Sequence, residues 1–294
     1  MKFAVLMTCF NRVETTLECL RHLFAARLPG GASFDVWLND DGCTDGTGER
    51  VEKEFPAVKI IKGSGHDYWC GGMRRAWDAA AKHFDYDAYL WLNDDTMLNE
   101  DVFEVLLAPL TSQLQDQHFC LTQSPPSTQS NFNNDYILVG AVCGRDGKAT
   151  YGGEKADGFY PPDGTWASIV QMNGNIVLVP RSVFRRLGNL PDYMTHSLGD
   201  SYYSRLAVKM GIPVLLSPAF IGVCEKNEKT PAWKREDVPL AKRLKSLYSP
   251  LGGSEPKVVF RYRSKMFGVT EAAKVVFSNH LRAVFPGLWR KMKG

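Results

Sequence analysis

Short apolar runs alternate with stretches of helical periodicity through the first hundred residues. Residues 3–7 form an unbroken apolar run, and residues 13–26 place Val13, Leu17, Leu20 and Phe24 at the three-to-four spacing of one helix face. A second strand is predicted over 34–38, a short helix opened by an aspartate over 45–55, and a third strand over 58–61. An alanine-rich helix over 73–84 and a fourth strand over 88–92 follow. This βαβ rhythm predicts an α/β fold built on an open, mostly parallel sheet. Ligands of such sheets bind beyond the carboxyl ends of the strands, so the residues after each strand carry the first clues to chemistry.

Further along, Ser, Pro, Gln and Asn dominate 123–134, which predicts a mobile loop. Strands are predicted over 136–142, 175–179, 214–216 and 220–223, and helices over 182–187 and 200–210. Beyond residue 229 helical segments continue over 238–248, 257–267 and 270–285, and there is no internal repeat. The longest apolar stretch, 212–224, is broken by Pro213 and Pro218 and falls short of a membrane span. The apolar run at 3–7 is too short for a signal sequence and has no small-residue cleavage site after it, so a cytoplasmic chain is expected.

Composition adds three points. With 294 residues, 44% of them apolar, the chain can bury a sizeable core. Its seven cysteines are odd in number and contain no C-x-x-C pair, so reduced thiols are expected rather than a disulfide framework or zinc knuckle. The net charge of +3 hides a split: 15 Lys and Arg against 4 Asp and Glu give +11 over 229–294, and the remaining 20 basic and 28 acidic residues give −8 over 1–228. Two regions are therefore expected, 1–228 and a basic, aromatic-rich helical extension over 229–294.

The first strand is followed by Thr8-Cys9-Phe10-Asn11-Arg12, not by G-x-G-x-x-G, which argues against a dinucleotide dehydrogenase. Gly63-Ser64-Gly65 does not supply that fingerprint either, because Tyr68 stands at the third glycine position. After the second strand comes Asn39-Asp40-Asp41-Gly42-Cys43-Thr44-Asp45-Gly46-Thr47. Its carboxylates can accept hydrogen bonds from a base or ribose, or they can shape an Asx turn and cap the next helix. Capping is the better reading for Asp45 and ligand binding for Asp41. After the fourth strand comes Trp91-Leu92-Asn93-Asp94-Asp95-Thr96. Adjacent carboxylates there suit a hard divalent ion that keeps substrate phosphates in its shell. A helix N-terminus is the alternative, but Asn99, Glu100 and Asp101 already serve that purpose.

In this order and spacing, T-C-F-N-R, L-N-D-D-G-C-T-D-G-T, G-S-G-H-D-Y-W-C-G-G-M and Y-L-W-L-N-D-D-T resemble the donor-site motifs of family 2 glycosyltransferases of the GT-A fold. The last two are similar to those of the bacterial rhamnosyltransferase-like subgroup. The resemblance runs from residue 1 to about 225. It implies that Thr8 and Asn11 lie against the nucleotide and that Asp41 recognises the base. It also implies that Asp95 is the metal-binding end of the D-x-D motif, with Mn²⁺ or Mg²⁺ as cofactor. Asn93 stands where many members have Asp, which leaves Asp94 as the possible second carboxylate. Between Trp69 and Arg75 the glycines, Gly72 among them, would let the backbone approach the donor closely. Arg74 and Arg75 would face the diphosphate or else remain solvated helix cations.

An inverting transfer needs a carboxylate to take the acceptor's proton. The family commonly supplies it from an E/G-D-x-D segment opening a helix, and Leu198-Gly199-Asp200-Ser201-Tyr202 resembles that segment with Tyr202 in place of the second Asp. A tyrosine titrates near 10 and is a poor base at neutral pH, so Asp200 is the candidate catalytic residue. His196 is a candidate acceptor contact or second base, or else a structural histidine, and Asn173-Gly174-Asn175 either lines the acceptor pocket, as similar family segments do, or makes a turn.

The expected partners are a nucleotide-sugar donor and a glycan or lipid-linked sugar acceptor, as in bacterial polysaccharide biosynthesis. The cations and aromatics of 229–294 suit an anionic membrane surface on the inner face of the cell membrane; a tail that simply covers the core is the alternative. Nucleic acid is not expected, since 1–228 is acidic and carries no nucleic-acid motif. A sugar-phosphate nucleotidyltransferase would present a Gly-rich basic loop after the first strand, which Thr8–Arg12 lacks. A degenerate member that only binds glycan or scaffolds an assembly stays open because of Tyr202.

Overall fold

The computed structural model describes residues 1–110, 135–227 and 229–293. The loop predicted over 123–134 lies outside the described residues. The first half runs β1 (Lys2–Cys9), α1 (Val13–Ala25), β2 (Ser33–Asp40), α2 (Thr47–Glu54), β3 (Lys59–Lys62), α3 (Tyr68–His83), β4 (Ala88–Leu92), β5 (Met97–Leu98) and α4 (Val102–Leu107). It continues through β6 (Ile137–Cys143), β7 (Ala149–Tyr151), β8 (Gly153–Lys155), β9 (Gly158–Tyr160), β10 (Ala167–Ser168), β11 (Gln171–Met172) and β12 (Ile176–Pro180). Then come α5 (Arg181–Leu187), α6 (Gly199–Lys209), β13 (Val214–Val223), α7 (Leu240–Leu247), α8 (Pro256–Phe267), α9 (Val269–Val284) and α10 (Pro286–Lys293).

The central sheet has the order β10-β13-β6-β12-β4-β1-β2-β3. Strands β3, β2, β1 and β4 run parallel, and β12 turns antiparallel to β4. The mostly parallel α/β expectation therefore holds, with the GT-A arrangement of helices on both faces. Along β1 the side chains alternate: Phe3, Val5 and Met7 enter the core beneath α1 and α4, while Ala4 and Leu6 enter the one beneath α3, α5 and α6.

Several elements differ from the sequence reading. The strands expected over 214–216 and 220–223 are one strand, β13, whose register against β6 shifts between Leu216 and Gly222 around Pro218. Helix α3 begins at Tyr68, five residues before the expected start, because Gly71 and Gly72 are helical rather than loop residues. Strands β7 to β11 were not anticipated; at two or three residues each they are too short to show a period.

Among the described residues no helix is long and apolar enough to cross a membrane. The segment after residue 229 is docked on the core. Helix α8 buries Val258 and Tyr262 in the α6 side of the core, the Thr195 hydroxyl donates to Glu255 at 3.0 Å, and Trp233 is buried with its indole N–H on Gly252 O at 2.8 Å.

Candidate active site at the strand ends

The parallel register of β1 and β2 sets Thr8 beside Asn39 and Cys9 beside Asp40, so the loops after both strands share one edge. Asn11, at φ +51°, accepts from the Thr44 backbone N–H at 2.8 Å and ties the two loops together. Asp45 accepts from the Val13 N–H at 3.0 Å and from Thr47 N–H at 3.1 Å, the helix-start role favoured for it from sequence. Asp41 is buried, and its carboxylate accepts three backbone N–H groups, from Gly65 at 2.8 Å, Asp67 at 3.0 Å and Tyr68 at 2.9 Å. These bonds shape the loop entering α3, and Oδ2, which accepts one N–H, keeps capacity for the base contact expected of it. Asp40 accepts from Cys43 N–H and Lys62 Nζ, each at 2.8 Å; burial raises its carboxyl, but these donors outweigh it and hold the carboxyl low.

Gly72 packs directly against the strand ends. A Cβ there would lie 2.1 Å from Thr8 Oγ1 and 2.9 Å from Asn39 Nδ2. Arg74 donates to the carbonyls of Pro191 and Met194 at 2.9 and 3.2 Å, and Arg75 donates to Lys62 O at 2.9 Å and pairs with Asp67 at 3.2 Å. Both arginines brace loops through these bonds.

The cation that meets the carboxylates after β4 is Arg12. Its guanidinium bridges Asp94 Oδ1 at 3.2 Å and Asp95 Oδ2 at 2.8 Å, while the Thr16 hydroxyl donates to Asp94 Oδ2 at 3.2 Å. Burial pushes the Asp94 carboxyl up to about 7, Arg12 opposes this, and the charge of Asp95 adds to it. Asp95 is partly exposed. The two carboxylates form an all-oxygen donor pair that fits a hard divalent ion, provided Arg12 gives way. Asn93 contributes less: its Oδ1 already accepts the Trp69 indole N–H at 2.7 Å.

Trp69 joins this side of the site to the one expected to take the acceptor. Its ring is flanked by Gly174, where a Cβ would come within 2.5 Å of it, and by Gly199, where a Cβ would come within 3.2 Å. It also meets Trp91 edge-on at 5.8 Å between centroids. Asp200, on the first turn of α6, accepts from the Gly174 N–H at 3.2 Å and from its neighbour Ser201 N–H at 2.7 Å; burial raises its carboxyl against these bonds. Tyr202 points away, 3% exposed, and its hydroxyl accepts from Lys265 Nζ of α8. Leu198, at φ +72°, turns the chain into α6 just before these residues.

Residues 4–129 match the family model for Glycosyl transferase family 2. Over that segment the chain is similar to glycosyl transferase family 2. No curated protein matches the sequence. Solved structures share the fold at low identity. A mannosyltransferase, PcManGT from Pyrobaculum calidifontis, solved with GDP-Man and Mn²⁺, has a TM-score of 0.53 at 16% identity, covering 98% of this chain and 87% of its own. TarS of S. aureus, residues 1–349 with UDP-GlcNAc, has a TM-score of 0.53 at 15% identity, covering 96% and 79%. GalNAc-T7 with UDP, GalNAc and Mn²⁺ has a TM-score of 0.56 at 11% identity; this chain spans 57% of its length.

Two site residues escaped assignment from sequence. Arg12 stood inside a quoted motif, but only the fold sets it across from Asp94 and Asp95. His196 was left open. It lies edge-on to Tyr68, with its Nδ1 buried and without a hydrogen-bond partner among the described residues; burial and then the charge of Arg12 lower its pKa.

Proposed function

We propose that the chain transfers a sugar, with inversion, from a nucleotide-sugar donor to a hydroxyl of a glycan or lipid-linked acceptor. The observation that carries this reading is the bridge from Asp94 and Asp95 through Asn93, Trp69 and Gly174 to Asp200. It sets a carboxylate pair suited to a metal-bound diphosphate and a raised carboxylate suited to a general base on two sides of one indole. The ligands in the PcManGT, TarS and GalNAc-T7 structures, nucleotide sugars or nucleotide with sugar, support the donor class.

In this reading Asp95 and Asp94 hold the divalent ion, Mn²⁺ or Mg²⁺, which when bound neutralises the departing nucleotide diphosphate. Arg12 offers a second positive charge at the same place. Thr8 and Asn11 line the nucleotide edge, and Trp69 forms the wall between donor and acceptor. Asp200 takes the proton of the attacking hydroxyl. The burial of Tyr202 favours activity over a degenerate binding protein, since the residue at the second Asp position faces the interior and not the cleft. The region 229–294 attaches the enzyme to anionic lipid at the inner face of the cell membrane, near a lipid-linked acceptor.

A panel of nucleotide sugars tested for donor hydrolysis with Mn²⁺ or Mg²⁺ decides the matter. Release of nucleoside diphosphate from one donor, abolished by EDTA, is expected. Release from none, with the protein folded, would overturn the proposal.

A further inference from the structure

Beside the nucleotide edge lies a second cluster of ligand-type side chains, made of two sulfurs and a carboxylate instead of oxygens alone. Cys9 at the end of β1, Asp40 at the end of β2 and Cys43 in the following loop bring one ligand atom each within 4.8 Å of one another. The spacing of Cys9 and Cys43 along the chain gives no hint of this; the β1–β2 register, which pairs Cys9 with Asp40, creates it.

The two Sγ atoms are 3.8 Å apart. Two thiolates on one tetrahedral zinc, with Zn–S bonds of about 2.3 Å, are separated by about 3.8 Å. A disulfide needs about 2.05 Å and would require the sulfurs to move together by nearly half their separation. Asp40 keeps acceptor capacity beyond the Cys43 N–H and Lys62 Nζ, since each carboxylate oxygen has two lone pairs. Cys9 and Asp40 are buried while Cys43 is only half-buried, so the cluster is reached from the loop side.

We propose that Cys9, Cys43 and Asp40 bind a borderline-soft divalent ion of the zinc class, with a fourth position open to solvent. This site is separate from the all-oxygen pair Asp94 and Asp95. Sulfur ligands select the softer ion, and the carboxylate pair selects Mg²⁺ or Mn²⁺. Binding displaces the thiol protons to solvent and leaves both sulfurs as thiolates. Because the Asn11 N–H donates to Cys43 Sγ at 3.2 Å and Asn11 holds Thr44, occupancy bears directly on the loop pair assigned to the nucleotide. That consequence rests on the donor reading above; the ion site does not.

The probe is Co²⁺ added anaerobically to the reduced 294-residue chain. One equivalent is expected to give a thiolate-to-metal charge-transfer absorption with tetrahedral d–d bands. Cys43→Ser should weaken binding at least tenfold and remove the absorption, with Cys43→Ala as the second variant if serine disturbs the fold by circular dichroism. Cys224→Ser and Asp95→Asn should retain the absorption, although Cys224 Sγ lies 3.7 Å from Asp95. No thiolate absorption in the folded wild type, or its loss in Cys224→Ser with retention in Cys43→Ser, would overturn the site. Zinc inhibition of nucleotide diphosphate binding, measured separately, tests only the link to the donor.

Discussion

The strand-end site and the C-terminal helices satisfy their charges in opposite ways. At the strand ends most charges have partners within the fold: Asp40 with Lys62, Asp67 with Arg75, and Asp94 and Asp95 with Arg12. Over 229–294 cations far outnumber acids, and large apolar side chains stand in solvent. Phe277, Leu281 and Phe285 recur every four residues along α9 and its end, with Phe277 66% exposed and Lys274 on the same side. The first region is prearranged, so a ligand there meets groups already held in place. The second leaves cations and apolar side chains in solvent, the face that the proposed lipid contact would use. The difference separates internally paired charge from charge left to solvent within one chain.

The largest expected effect breaks the first region alone. Asp95→Ala should abolish turnover while thermal unfolding stays near wild type, because this carboxylate is partly exposed and Arg12 still has Asp94; a collapse of the fold would make Asp95 structural. Asp200→Asn should lower transfer by at least about a hundredfold while donor binding persists. Tyr202→Phe, which removes the hydroxyl that accepts from Lys265 of α8, should leave transfer near wild type. Transfer should also depend on pH. Burial raises the Asp200 pKa and the ionised form is the base, so activity should fall as pH drops through a midpoint above the ordinary carboxylate range. A midpoint at the ordinary value would remove Asp200 from that role.

Gly174→Ala sharpens the comparison within the site. Its Cβ would press on the Trp69 ring, so a roughly ten- to hundredfold loss of kcat with little change in donor affinity is expected. For the second region, substitution is a cleaner test than truncation, since removing 229–294 would also strip Val258 and Tyr262 from the core. Phe277→Ser with Phe285→Ser should remove the salt-resistant part of binding to anionic vesicles in cosedimentation. The salt-sensitive part, about 1 kcal/mol per cation near the surface, should remain. Equal binding by wild type and variant at high salt would show that this face is not inserted.

The smallest effect lies outside both regions. Burial raises the Asp35 carboxyl, but hydrogen bonds from Tyr86, Lys2 and Lys59 outweigh it and hold the carboxyl at about 2. Its stabilisation is complete above the ordinary carboxylate pKa and is lost as pH falls from about 4 towards 2. Denaturant midpoints of Asp35→Asn should therefore change less over that interval than those of wild type.

The sequence carried the sheet and the strand-end carboxylates because both rest on order: an apolar run, then a turn, then an acid. Asp94 and Asp95 could be nominated that way, and Asp200 by its resemblance to the family's helix-opening segment. Side-chain direction could not. Arg74 and Arg75 follow Gly72 and look exposed on paper, yet α3 starts early enough to turn them towards the loops at 191–194 and 62–67. Asp41 had the appearance of a ligand residue, and three N–H groups from a segment more than twenty residues away also converge on it. Tyr202 was read as a missing base, when the turn of α6 aims it at α8. These outcomes depend on contacts distant in sequence, which periodicity does not encode.

The Arg12 bridge has a kinetic consequence. Because this guanidinium already neutralises Asp94 and Asp95, a divalent ion arriving alone must compete with an internal cation. A nucleotide diphosphate can draw the arginine towards its own oxygens and vacate the carboxylates as it binds. Under the proposed function the steady-state pattern should therefore be ordered, with ion and donor entering together as one complex and free ion giving little saturation by itself. Replacing Arg12 with a neutral side chain would turn that sequence into random addition.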